Sequence, residues 1–175
     1  MSAEVERIRA RLRNEGQKAE AFFDELPDAG WERRVYGEGP EWRVRDVLAH
    51  FISAERTFVQ TMREVLRGGP GLSRDFDIDA FNAREVPALA RLGREELRGA
   101  FRRARADTLA LVDGLDEADL QLPGWHPWFG DTQLGEMLQL IYRHTMLHLR
   151  DVRRALQADP PAGSAPEDRL PGAAG

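Results

Sequence analysis

Residues 131–156 read DTQLGEMLQLIYRHTMLHLRDVRRAL. Met137, Ile141, His144, His148, Val152 and Ala155 recur at spacings of three and four, which places them on one stripe of an α-helix running from about Thr132 to Ala158. A helix with a single apolar stripe has to bury it against other helices or a sheet. Two of the four histidines in the chain, His144 and His148, sit inside that stripe. At i and i+4 their Cβ atoms stand about 5–6 Å apart, so both imidazoles can converge on one point.

Three further stripes supply the partners. Residues 3 to 26 align Val5, Ile8, Leu12, Ala19, Phe23 and Leu26, with Gly16 a weak point and Pro27 ending the pattern. Residues 44 to 67 align Val47, His50, Phe51, Ala54, Phe58, Thr61 and Val65, and the run GGPG at 68–71 stops the helix. Residues 94 to 114 align Leu97, Phe101, Ala104, Thr108 and Leu111, with Leu115 at the edge and Gly93 as N-cap. Strand-like alternation appears nowhere over a useful length. Four amphipathic helices of about twenty residues find their simplest burial in an all-α four-helix bundle, expected over residues 1–158. The last stretch, 159–175, is rich in Pro, Gly and Ala and is expected to be a disordered tail.

Composition narrows the function classes. The 175 residues suit one domain, and 42% hydrophobic content suffices for one core. Thirty acidic against 25 basic residues give a net charge of −5, which argues against nucleic acid as partner. The N-terminal MSAEVERIRARLRNEG lacks the apolar stretch of a signal peptide, and no run approaches the roughly 20 residues that span a bilayer, so a cytoplasmic location and no membrane partner are expected. Cysteine is absent, which removes disulfides, thiolate ligands and a cysteine nucleophile. Any metal must be held by nitrogen and oxygen.

His50 lies on the apolar stripe of its helix just as His144 and His148 do on theirs. Burying an imidazole without a partner costs free energy, so something must satisfy all three. In a bundle, metal sites are built from inward side chains on facing helices, and three histidines match the open arrangement of catalytic zinc, whose fourth position takes water or substrate. From position alone the other reading stands equally: core histidines bonded to backbone carbonyls or carboxylates. His126, in the loop LPGWHPWFGD, is a packing or surface residue before it is a fourth ligand.

The segments EWRVRDVLAHFISAER and DTQLGEMLQLIYRHTMLHLRDVRRAL carry a resemblance. A tryptophan shortly before a helix reading VLAH, an acidic linker ending in DAFN and a terminal HxxxH helix together resemble the DinB-like superfamily, over about residues 3 to 158. The resemblance implies the DinB/YfiT-like four-helix metalloenzyme fold. It implies a metal, zinc or nickel, held by His50, His144 and His148. Relatives in the family include enzymes that use low-molecular-weight thiols, among them mycothiol-dependent maleylpyruvate isomerase and bacillithiol S-transferase, and members often form homodimers. One departure is Arg43 after Trp42, where many relatives have Ser or Thr as the helix cap; Asp46 remains to favour the helix terminus.

Other signals are weaker. Asp75, Asp77 and Asp79 open with calcium-loop spacing, but Ala80 and Val86 stand where that loop needs Gly and Glu, so the calcium reading fails. Asp79 is expected to cap a short helix bearing Phe81 and Asn82 and interrupted by Pro87. Asp46 and Asp151 are candidates to orient His50 and His148, though such residues are more often solvated or paired with Arg. Arg143 and Arg150 suit either an anionic substrate or thiol, or a charged outer face. Trp125, Trp128 and Phe129 suit a pocket mouth, a dimer contact or the closed end of the core.

The expected function is a metal-dependent enzyme acting on a small molecule. Thiol S-transfer is preferred on the resemblance alone over hydrolysis or isomerisation. A non-catalytic metal-binding stress-response protein and a metal-free helical interaction module are the readings from other classes. No carboxylate on an apolar stripe stands out as general acid or base.

Overall fold

The computed structural model describes residues 2–36 and 41–158; the tail expected over 159–175 lies outside the described residues. Four long helices correspond to the four stripes: α1 (Ala3–Glu25), α3 (Val44–Leu66), α5 (Arg94–Asp113) and α6 (Leu134–Gln157). Two further helices join them, a single turn α2 (Asp28–Trp31) and α4 (Ile78–Ala90). Ser2 caps α1 by accepting the Val5 N–H at 3.3 Å. At α3 the Asp46 carboxylate accepts the Arg43 N–H at 2.8 Å, and at α5 Glu96 does the same for Gly93 at 2.8 Å. The missing Ser or Thr before α3 is thus replaced from the other half of a capping box. Asp46 serves the helix terminus, so the expectation that it orients His50 is not met.

Two features differ from the sequence expectation. Pro87 does not interrupt the linker helix: α4 runs through it to Ala90, and its cap is Asp77, not Asp79, with the Asp77 carboxylate accepting the Ala80 N–H at 2.9 Å. The chain also contains strands. β1 (Pro123–His126) pairs antiparallel with β2 (Gly130–Gln133) around a turn closed by Gly130, whose φ of 72° lies in the left-handed region. Four-residue strands are too short for alternation to register in a sequence. The hairpin is anchored by the Trp125 N–H donating to the Pro70 carbonyl at 2.7 Å, across from Gly71, where a Cβ would come within 2.9 Å of the Trp125 carbonyl oxygen.

The helix directions follow from the core. One apolar cluster joins Val5 and Leu12, Met62 and Val65, Val112, and Leu134 and Met137; a second joins Phe23, Val47 and Phe51, Leu97 and Phe101, and Leu149 and Val152. Hence α1 and α6 run one way, α3 and α5 the other. Because α3 and α5 are parallel, the chain must return along the bundle between them, and α4 makes that crossing packed on α3. This is why α3 buries far more than its one stripe, including Val44, Leu48, Ile52, Val59 and Met62.

Between the clusters lies a polar layer. Arg105 on α5 donates from Nε to Glu55 on α3 at 2.6 Å, from Nη1 to the Leu12 carbonyl at 2.6 Å and from Nη2 to Thr145 on α6 at 3.2 Å, while Thr108 donates to the second Glu55 oxygen at 2.6 Å. Glu55 and Arg105 are each 2% exposed. Every charged oxygen and nitrogen of the pair has a partner, the condition under which a buried ion pair is tolerated. Gly16, the weak point of α1, makes the space: a Cβ there would meet Arg105 Cγ at 3.0 Å.

A candidate metal centre at the end of an apolar cleft

His50 projects from α3 and His144 and His148 from α6, two helices packed antiparallel. Their Nε2 atoms converge: His50 to His144 is 2.8 Å and His148 to His144 is 3.1 Å, and one nitrogen from each ring falls within 4.8 Å of the others. Among the described residues this is the only group of three or more His, Asp or Glu side chains arranged to hold an ion. Four-coordinate zinc with Zn–N bonds of 2.0–2.1 Å sets its nitrogens about 3.3 Å apart, close to the two Nε2 separations made by His144.

The surroundings keep these imidazoles neutral. Burial drives the His50 pKa down to about 3, with nearby His148 adding to the effect and Asn82 of α4 opposing it. Burial also takes His144 well below the usual histidine range, helped by its two neighbours, and lowers His148 against the pull of Asp151. At neutral pH each ring therefore offers a lone pair. Two neutral rings can share one proton along an Nε2···Nε2 contact, but three rings meeting at one point leave nitrogen lone pairs facing one another, and His50 Nδ1 is buried with no group at hydrogen-bond geometry among the described residues. A cation among the Nε2 atoms resolves the first problem, so the residues fit a divalent metal.

Tyr36 decides how His148 is held. Its hydroxyl bonds to His148 Nδ1 and lies 3.5 Å from Asp151 Oδ2. Burial and Asp151 push the Tyr36 pKa up to about 12, so the hydroxyl keeps its proton. The carboxylate can only accept; Tyr36 therefore donates to Asp151 and accepts from His148 Nδ1–H, which leaves Nε2 unprotonated toward the triad. Asp151 thus does act on His148, one residue removed. Tyr36 carried no signal in the sequence because it lies outside every helix, 112 residues from its partner. Trp42, the tryptophan ahead of α3, covers the triad with its ring 4.7 Å from that of His50 and 6.5 Å from that of His148.

The three histidines border a cleft of about 650 Å³ between α3, α4, α6 and the hairpin, its walls formed largely by Trp42, Phe58, Phe76, Phe81 and Trp128. His126 also lines it. The ring stacks on Phe58 with centroids 5.3 Å apart and planes 1° from parallel, and is 6% exposed, so the residue is buried packing rather than a surface loop. Its Nδ1 accepts the Trp128 N–H at 3.2 Å. A neutral ring that accepts at Nδ1 carries its proton on Nε2, so His126 has no lone pair left for a metal and the triad keeps an open side. Arg143 and Arg150 do not line the cleft: Arg143 donates to Gln139 and Arg150 to Asp151. Of the aromatic residues beside His126, Trp128 borders the cleft, while Trp125 lies under Arg74 in β1.

The family model of the DinB superfamily matches residues 3–152. No curated protein matches the chain in sequence. Among solved structures, YfiT from Bacillus subtilis, described as a probable metal-dependent hydrolase with an unusual four-helix bundle topology, is 16% identical with a TM-score of 0.73, over 89% of this chain and 87% of that one. The mycothiol-dependent maleylpyruvate isomerase is 14% identical with a TM-score of 0.72, over 87% of this chain; the chain spans only 63% of the isomerase. An uncharacterised protein from Clostridium difficile 630 is 14% identical with a TM-score of 0.69, over 88% of this chain and 96% of that one. At these identities the likeness is one of fold. Among the described residues no helix is long and apolar enough to cross a membrane.

Proposed function

The chain belongs to the DinB superfamily, and from that premise we propose that it is a metal-dependent enzyme acting on a small molecule, with His50, His144 and His148 holding a divalent cation, zinc or nickel. The observation that carries this reading is the junction of the triad with an open cleft of about 650 Å³. A structural metal site is closed by four protein ligands, whereas this triad borders space large enough for a substrate. Three neutral imidazoles would leave a divalent ion its full charge, which would lower the pKa of a bound water or thiol.

The protein side chains supply the rest. Tyr36 and Asp151 fix the tautomer and ring orientation of His148. Trp42 covers His50, and α4 with the hairpin walls the cleft on the side away from α3 and α6. The chain has no cysteine, so sulfur chemistry here requires a low-molecular-weight thiol as co-substrate. Thiol-dependent transfer is our finer reading: sulfur bonds to an electrophilic carbon as that carbon's leaving group departs, and the thiol proton passes to solvent. It draws its support from the fold shared with the mycothiol-dependent isomerase. Hydrolysis is the second reading, favoured by the likeness to YfiT.

Protein purified without a histidine tag should carry about one zinc or nickel per chain by elemental analysis, and His148→Ala should abolish it. Loaded protein is then offered thiols with electrophilic acceptors, and separately esters and amides, with products followed by mass spectrometry. Conjugates support transfer; hydrolysis products without thiol support the second reading. Failure of the wild type to take up a divalent metal overturns both.

A further inference from the structure

His126 has no part in the triad, yet it faces the same cleft and is close enough to lower the His144 pKa. Three contacts fix its chemistry. Phe58, stacked parallel to the ring, sets its plane, and the Trp128 backbone N–H occupies Nδ1. The proton must then sit on Nε2, which finds no acceptor among the described residues and is not among the atoms sealed from solvent. An N–H held in this way is a donor with its direction set in advance. We infer that His126 presents Nε2–H to the cleft as a fixed donor for an uncharged oxygen acceptor, a ketone or aldehyde carbonyl, on a flat apolar substrate.

The remaining lining supports the class of ligand. The walls are aromatic, and no Lys or Arg among the described residues lines the cleft, while Asp77 and Asp79 do. An anionic group lying away from the triad would meet no counter-charge there. Thr57 and Thr61 commit their hydroxyl protons to the Ser53 and Thr57 carbonyls at 3.0 and 2.8 Å, so they offer a ligand only acceptors. Burial holds the His126 pKa near 4, so the ring works as a neutral donor throughout the physiological range, in the way a neutral imidazole polarises a carbonyl in other enzymes. The inference rests on the reading of the cleft as a substrate site.

Acetophenone and ethylbenzene, nearly equal in shape and differing in the carbonyl, test it by titration against tryptophan fluorescence. One neutral hydrogen bond should make the wild type prefer acetophenone by about three- to tenfold. His126→Phe, which keeps a ring on Phe58, should erase the preference while metal content stays at the wild-type level. In case that variant folds poorly, the wild-type His126 Nε2–H resonance should move downfield on adding acetophenone and stay in place with ethylbenzene. A preference that survives in His126→Phe, or an unmoved resonance under saturating ketone, overturns the inference while leaving the metal reading intact. A wild type that takes up no metal sinks the parent reading instead, and binding of neither probe sinks the substrate cleft and this inference together.

Discussion

Replacing Tyr36 by Phe removes one hydroxyl and little else, because the ring keeps its contacts with Trp42 at 6.1 Å and His148 at 5.9 Å. The substitution deprives His148 Nδ1–H of its acceptor and cuts the link to Asp151. His148 is only partly buried, so water can recover part of the lost hydrogen bond, and the ring gains freedom to turn Nε2 away from His144. Loss of such an outer partner lowers metal affinity by 10- to 100-fold in comparable sites, about 1.4 to 2.7 kcal/mol. The assay is competition for Zn2+ against a chromophoric chelator, run on both proteins at pH 7 and pH 9. Because burial and Asp151 push the Tyr36 pKa up to about 12, the hydroxyl is protonated at both pH values and the ratio between wild type and variant should be the same. A Tyr36→Phe protein that binds zinc within about twofold of the wild type would falsify the role of Tyr36 in orienting His148.

Two other perturbations address stability. Arg105→Met leaves the buried Glu55 carboxylate with Thr108 as its remaining partner and should cost about 3–5 kcal/mol in urea denaturation, while adding Glu55→Met should recover most of it; a loss below about 1 kcal/mol in the single variant would show that the polar layer is looser than its contacts indicate. The pH dependence has a definite sign: burial pushes the folded His126 pKa down to about 4, from about 6.5 for an exposed histidine, so below 6.5 the unfolded chain binds the extra proton and stability falls as pH drops from about 6.5 toward 4. His126→Gln removes that group and should flatten the decline by up to about 1.4 kcal/mol per pH unit in that window, as read from urea midpoints between pH 4.5 and 6.5. An unchanged slope contradicts the depressed pKa.

The alternative of a metal-free interaction module is disfavoured by the inward geometry of the three rings. Histidines placed only to satisfy a core would each turn toward a carbonyl or carboxylate. Here the Nε2 atoms turn toward one another, at 2.8 and 3.1 Å, while Tyr36 holds His148 from its other ring nitrogen.

What the sequence settled by itself was whatever repeats along a helix. The stripes through Val5, Val47, Leu97 and Met137 became α1, α3, α5 and α6, because an apolar face of period 3.6 has to be buried and leaves its mark within twenty residues of chain. His50, His144 and His148 were legible for the same reason, as polar residues standing in those stripes. Tertiary structure alone decided the rest. Tyr36 reaches His148 from a loop, Arg105 meets Glu55 across the bundle, α4 continues past Pro87 because it packs on α3, and the hairpin turns His126 from a loop residue into part of the cleft wall. Each of these depends on contacts between segments distant in the chain, and such contacts leave no period in the sequence to be read.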